Sequence, residues 1–161
     1  MKKYQKGFTL IELLVVIAVV AILSSVVWAF MGSARNRTAD TAVKAGMKEL
    51  VAQALLYSNE TNGSYGPVGG TPKPCMQNTS FSGVFSNTKV KSIVSNVLSN
   101  SANKAPYNFA MCVENNNSFA MYVPLKGGGF WCVDNSNHST STNIISPNIN
   151  YVESGAVWTC R

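Results

Sequence analysis

Phe8-Thr9-Leu10-Ile11-Glu12-Leu13-Leu14-Val15-Val16-Ile17-Ala18 opens an apolar run that continues through Val19 to Met31. The run holds one charge, Glu12. As a helix its roughly 24 residues reach about 36 Å, enough to cross a hydrocarbon core of about 30 Å. Lys2, Lys3 and Lys6 precede it, and Arg35 and Arg37 follow. Lysine-rich flanks stay on the cytoplasmic side, so the amino terminus is expected inside and the rest of the chain outside. A cleaved secretory signal has a shorter apolar stretch, and a plain anchor has no use for Glu12. A carboxylate so near hydrocarbon is costly and is a functional candidate by default. A partner amine explains it: a cut between Gly7 and Phe8 would free an α-amine one helical turn from Glu12. A buried pair of this kind is costly to break, which makes it a device for register.

The remaining composition bounds the alternatives. The chain has 161 residues, room for one ordinary domain. Its hydrophobic share is 46% but only 12% is charged, against about 25% in a typical soluble domain. Twelve Gly, six Pro and the apolar content exclude collagen-like, coiled-coil and disordered classes. The net charge of +6 is partly terminal, since removing the first three lysines leaves 6 − 3 = 3. A basic chain of this kind need not bind nucleic acid.

Beyond Gly32, Val43, Met47, Leu50, Val51, Ala54 and Leu55 recur at helical spacing, with Asp40, Lys44, Lys48, Glu49 and Gln53 between them. The pattern predicts one helix over 8–62, apolar all round in its first half and one-sided in its second. Asn62 or Gly63 suits a left-handed cap. Gly32-Ser33 marks the junction, where a bend or merely a tolerated small pair fits equally. From Gly63 the composition turns to Gly, Pro, Ser, Thr and Asn. Val90, Ile93, Val94, Val97 and Leu98 predict a second helix over 87–100. Strands are predicted at Tyr107–Val113, Phe119–Val123, Phe130–Val133 and Ala156–Cys160. Ser136–Asn150 reads as an exposed loop. The expected class is α+β: a long amino-terminal helix packed on a small antiparallel sheet.

At the opening residues the chain resembles the type IV pilins and pseudopilins. Lys-x-x-x-Gly7 followed by Phe8-Thr9-Leu10-Ile11-Glu12-Leu13-Leu14 is similar to their class III processing signal. The resemblance implies a leader over 1–7, cut between Gly7 and Phe8 by a prepilin peptidase that also methylates the Phe8 amine. It implies a filament-core half over 8–32, an amphipathic half over 33–62 and a head over 63–161. Phe8, Thr9 and Glu12 would then serve assembly, with Glu12 neutralising the Phe8 amine of a neighbouring subunit. The implied partners are identical or homologous subunits, the peptidase, the inner-membrane assembly machinery and the membrane itself. The implied product is a surface filament; the alternative is a pseudopilin of a type II secretion or DNA-uptake machine. A membrane-anchored binding domain that never polymerises is a third reading.

Cys75, Cys112, Cys132 and Cys160 all lie on the side expected to be outside, and an even count there predicts two disulfides. Three pairings are possible. Cys75–Cys112 with Cys132–Cys160 is favoured because it closes successive loops, and the second also resembles the family's carboxy-terminal disulfide-bounded loop.

Little else carries chemistry. One His, His138, sits in a polar loop and is ordinarily a solvated side chain. Asp134-Asn135-Ser136-Asn137 brings one carboxylate without the later Glu of a calcium loop. No nucleotide or hydrolase motif occurs. No catalytic residue, metal or cofactor is expected. Lys73, Lys89, Lys91, Lys104, Lys126 and Arg161 with Phe81, Phe85, Tyr107 and Trp131 make nucleic acid a secondary candidate partner. A small aromatic core with a soluble surface accounts for the same residues better.

Overall fold

The structure is a computed structural model that describes residues 7–75, 80–102, 110–136, 139–142, 149–152 and 157–160. Its elements are α1 (Leu10–Glu60), β1 (Lys73–Pro74), a 3₁₀ turn (Val84–Ser86), α2 (Thr88–Asn100), β2 (Met111–Glu114), β3 (Phe119–Pro124), β4 (Phe130–Asp134), β5 (Ser139–Thr142), β6 (Ile149–Val152) and β7 (Val157–Cys160). The fold is α+β, a long amino-terminal helix followed by a small antiparallel sheet. The chain divides into two compact units, the first ending at Arg35 and the second beginning at Asn36.

In the first unit α1 exposes apolar side chains on every side, among them Leu10, Leu13, Leu14, Ile17, Val20 and Leu23. By length and composition this stretch is able to cross a membrane. In the second unit the one-sided pattern takes effect. Val43, Met47, Leu50, Val51 and Ala54 are buried, while Thr41, Ala45, Lys48, Glu49 and Ala52 stay exposed. The helix stops in a Schellman turn: Asn62 (φ 55°) and Gly63 (φ 88°) are left-handed, and the Gly63 N–H donates to the Ser58 carbonyl at 2.8 Å.

Helix α2 starts where the Asn87 side chain accepts from Lys89 N and Val90 N. Its stripe of Val90, Ile93, Val94 and Val97 is buried. Close approach of the two helices depends on Gly46, where an added Cβ would lie 2.7 Å from Val97 Cγ2.

Five strands form one antiparallel sheet in the order β1-β2-β3-β4-β5, and β6 pairs with β7 separately. Cys112 opposes Met121, and Met121 opposes Val133. This face carries the main core with α1 and α2, joined by Tyr65, Phe85 and Phe119. The opposite face holds Val113, Ala120, Cys132 and Asp134, all buried. The β6–β7 hairpin accounts for that burial: β7 lies against β3 and β4 without pairing to either.

Several expectations shift. The last strand pairs with β6 rather than joining the main sheet. The stretch read as a loop, Ser136–Asn150, contains β5 and the start of β6. Ser139-Thr140-Ser141-Thr142 has no apolar alternation, so an edge strand held by backbone pairing with β4 gave no sequence signal. Helix α1 begins at Leu10 rather than Phe8, because Thr9 is its cap. Of the predicted Tyr107–Val113 strand, residues 107–109 lie outside the described residues, as do His138, Lys104 and Arg161.

Candidate functional site

The candidate site lies at the start of α1. Gly7, Phe8 and Thr9 precede the helix in non-helical conformation. Gly7 stands in open space and Phe8 is 84% exposed. Thr9 and Glu12 form a capping box, the reciprocal arrangement that Thr-x-x-Glu produces at a helix start. The Glu12 N–H donates to Thr9 Oγ1 at 3.4 Å, and the Thr9 N–H donates back to Glu12 Oε2 at 2.9 Å. The Thr9 hydroxyl also donates to Oε2 at 2.7 Å. Both bonds fall on Oε2. Oε1 accepts from no described residue, and it projects from an exposed helix end surrounded by apolar side chains.

Two consequences follow from chemistry alone. A helix start has N–H groups without intrahelical partners, and in hydrocarbon these must be satisfied internally. The capping box provides this at residues 9 and 12, both beyond the Gly7–Phe8 bond, so loss of 1–7 leaves it intact. Meanwhile the second carboxylate oxygen stays available to an external donor. The reading of Glu12 as an acceptor for an amine overlooked its bonds to Thr9, although the Thr-x-x-Glu spacing was visible in the sequence.

Three other acidic side chains, Glu114, Asp40 and Asp134, serve the fold. Glu114 is 4% exposed and accepts from Ser82 N, Gly83 N and Phe85 N at 3.0, 2.7 and 2.8 Å. Gly66, Gly70 and Gly83 pack so closely around it that a Cβ on Gly70 would collide with the Glu114 carbonyl oxygen. Asp40 on α1 accepts from Lys126 N and Gly127 N at 2.7 and 2.9 Å, fastening the β3–β4 turn to the helix. One helical turn on, Lys44 Nζ lies 4.7 Å above the Trp131 ring. Asp134 is fully buried; Oδ1 accepts from Ser136 N and Oδ2 from Cys160 N, both at 2.9 Å. Its carboxylate therefore holds β7, and the calcium-like spacing has a structural explanation.

Cys75 is bonded to Cys112 and Cys132 to Cys160, with Cα atoms 5.1 and 5.7 Å apart. The two disulfides lie on opposite faces of the sheet. The first fixes β1 and the preceding loop to β2 on the helix side, and the second fixes β7 to β4 on the hairpin side.

Of the aromatics considered for nucleic acid, Phe85 is in the core, Trp131 is engaged by Lys44, and Phe81 packs on Phe85 at 5.3 Å. Tyr107 lies outside the described residues. Phe81, Phe85 and Trp131 are thus used in packing rather than offered as a row of free rings for base stacking. Tyr122, half-buried on the hairpin face beside Phe130, has its hydroxyl pKa raised by desolvation.

Comparison with known proteins agrees with the start of the chain and extends along it. A family model described as the prokaryotic N-terminal methylation motif matches residues 2–28. The type IV wide pilus major component PilA4 of Thermus thermophilus is 31% identical over 144 residues, covering 88% of this chain and 92% of that protein. No solved structure matches with significance. An apolar helix with a single capped carboxylate, an α+β head and this similarity over nearly the full length together place the chain in the type IV pilin family.

Proposed function

We propose that the chain is the precursor of a filament subunit, stored in the membrane by residues 8–32 and polymerised after processing at Gly7–Phe8. A prepilin peptidase removes 1–7 and methylates the new Phe8 amine. The inner-membrane assembly machinery then moves the apolar helix out of lipid and into contact with the helices of sister subunits. Heads over 63–161 stay outside and form the filament surface.

The observation that carries this reading is the division of labour at Glu12. Oε2 closes the helix cap with Thr9, and Oε1 has no donor among the described residues. A carboxylate half-satisfied among exposed apolar side chains calls for a second donor, and a cationic amine is the strongest kind. The Phe8 amine of a neighbour meets that need only at one stagger, so the pair sets helical register. Ala18, Ala21, Ser24 and Ser25 are small and permit close helix approach. Ser25 Oγ donates to the Ile22 carbonyl, so it adds no unsatisfied polar group.

The related Thermus protein is named as a major pilus component. That similarity favours the surface fibre over the second reading, a pseudopilin of a type II secretion or DNA-uptake machine, which would have the same amino terminus. Glu12→Leu tests the proposal in cells: the variant is expected to be processed and to remain in the membrane without forming fibres. Normal fibre assembly by that variant would contradict the mechanism. Long extracellular fibres containing this chain separate the first reading from the second.

A further inference from the structure

The apolar run leaves one quantity undetermined. From Phe8 to Met31 it reaches about 36 Å against a hydrocarbon core of about 30 Å, an excess of about one helical turn. Apolar length alone therefore lets the stored helix slide or tilt by that amount. Flanking charge narrows the range only loosely, since lysine and arginine stems snorkel. Within the run, Trp28 is the side chain suited to settle it. It is 78% exposed, and its indole joins a broad apolar ring to one N–H donor, the combination that favours the membrane–water boundary. It lies about 20 residues from Phe8, or about 30 Å along a helix, the thickness of the core.

The geometry points to Trp28 as the residue that sets the depth of the stored precursor, with the outer bilayer interface as its partner surface. This inference rests on the proposed reading that residues 8–32 span a membrane. With the indole at the outer boundary, the Gly7–Phe8 bond lies at the inner boundary, where a membrane-embedded peptidase can reach it. Glu12 lies about 6 Å inside that boundary. Phe30 and Met31 then lie in the outer headgroup region. Arg35 stands about 10 Å beyond Trp28, at phosphate level. Its Nη2 lies 3.3 Å from Met31 Sδ, so the guanidinium is drawn along the helix toward the membrane side. Trp28 is thus a positioning residue: it touches no reacting atom and acts by fixing where the reacting bond sits.

Relocating the anchor by one turn on the same helix face tests this with the full-length chain in its host membrane. Ser24→Trp combined with Trp28→Leu should draw the amino terminus inward by about 6 Å. Trp28→Leu combined with Gly32→Trp should push it out by the same amount. Two reporters read the shift by labelling with a membrane-impermeant maleimide from the cytoplasmic side, in a peptidase-deficient host. Gln5→Cys should label in the parent and lose labelling when Trp is at position 24. Ile11→Cys should be protected in the parent and gain labelling when Trp is at position 32. In a peptidase-competent host, cutting at Gly7–Phe8 should slow several-fold for the first relocation. Unchanged labelling of both reporters in both relocated variants overturns the inference, whatever happens to cutting. Labelling that follows the anchor, in a chain never cut at Gly7–Phe8, supports the depth role and removes the processing reading instead.

Discussion

Single side chains in this protein do paired duties, and their removal has separable effects. Thr9 supplies both halves of its bond network: its N–H and hydroxyl donate to Glu12 Oε2, and its oxygen accepts the Glu12 N–H. Thr9→Ala loses the hydroxyl and, by the usual worth of an N-cap, about 1 kcal/mol of helix-start stability. It is expected to lower fibre yield without preventing processing, and Thr9→Ser should restore the yield; sheared-fibre preparations compare the three. In the head, Glu114 replaces water for three backbone N–H groups at once. Glu114→Gln turns one acceptor oxygen into a donor facing N–H groups, a loss of about 1–3 kcal/mol. Denaturant midpoints of the detergent-solubilised chain measure it. Tyr122 gives a pH signature. Its folded pKa is raised by burial above the ordinary value of 10.0, so its contribution is intact below about pH 10. That contribution is lost as pH rises through the folded pKa, because the unfolded chain ionises first. The melting temperature should therefore fall more steeply above pH 10 than that of Tyr122→Phe; equal slopes would contradict the assignment.

At the scale of elements, the two disulfides divide the head into parts of unequal independence. Cys75–Cys112 closes onto the main core, where Met47, Leu50, Phe119 and Met121 are fully buried. Cys132–Cys160 and the Asp134 bond to Cys160 N hold the β6–β7 hairpin on the other face. Cys132→Ser with Cys160→Ser is expected to raise hydrogen exchange in 149–152 and 157–160 and at Val113 and Ala120, while α2 stays protected. Uniform loss of protection would show that the two faces are one cooperative unit. Helices α1 and α2 were legible in the sequence because their stripes repeat at helical spacing, and the middle strands because they are apolar runs between turn residues. The carboxy-terminal hairpin was not. β5 is Ser-Thr-Ser-Thr, with no apolar alternation to mark its pairing with β4, and the alternation of Ile149-Asn150-Tyr151-Val152 is obscured by the polar residues around it. Asp40 and Lys44 read as plain solvated positions, because their partners, the β3–β4 turn and Trp131, are about 86 residues away and set by tertiary packing. Glu12 was recognised as unusual from its surroundings, yet its bond to Thr9, three residues away, was the more local fact.

The whole molecule joins two solvation problems in one chain. Its first unit has apolar side chains with nothing of its own to cover them, and its second buries a two-faced core under helices and a hairpin. The first requires lipid or sister helices, and the exchange of one for the other is what the proposed processing makes possible. In the proposed reading, freeing the Phe8 amine would supply a charge for the Glu12 oxygen that has no donor among the described residues, with the cap at Thr9 left in place. Intact-mass spectrometry of fibres sheared from the native cell tests this most directly. The account predicts a chain that begins at Phe8, heavier by one CH2 because a methyl group replaces an amine hydrogen, and lighter by the four hydrogens of two disulfides. A mature subunit that still begins at Met1 would contradict it.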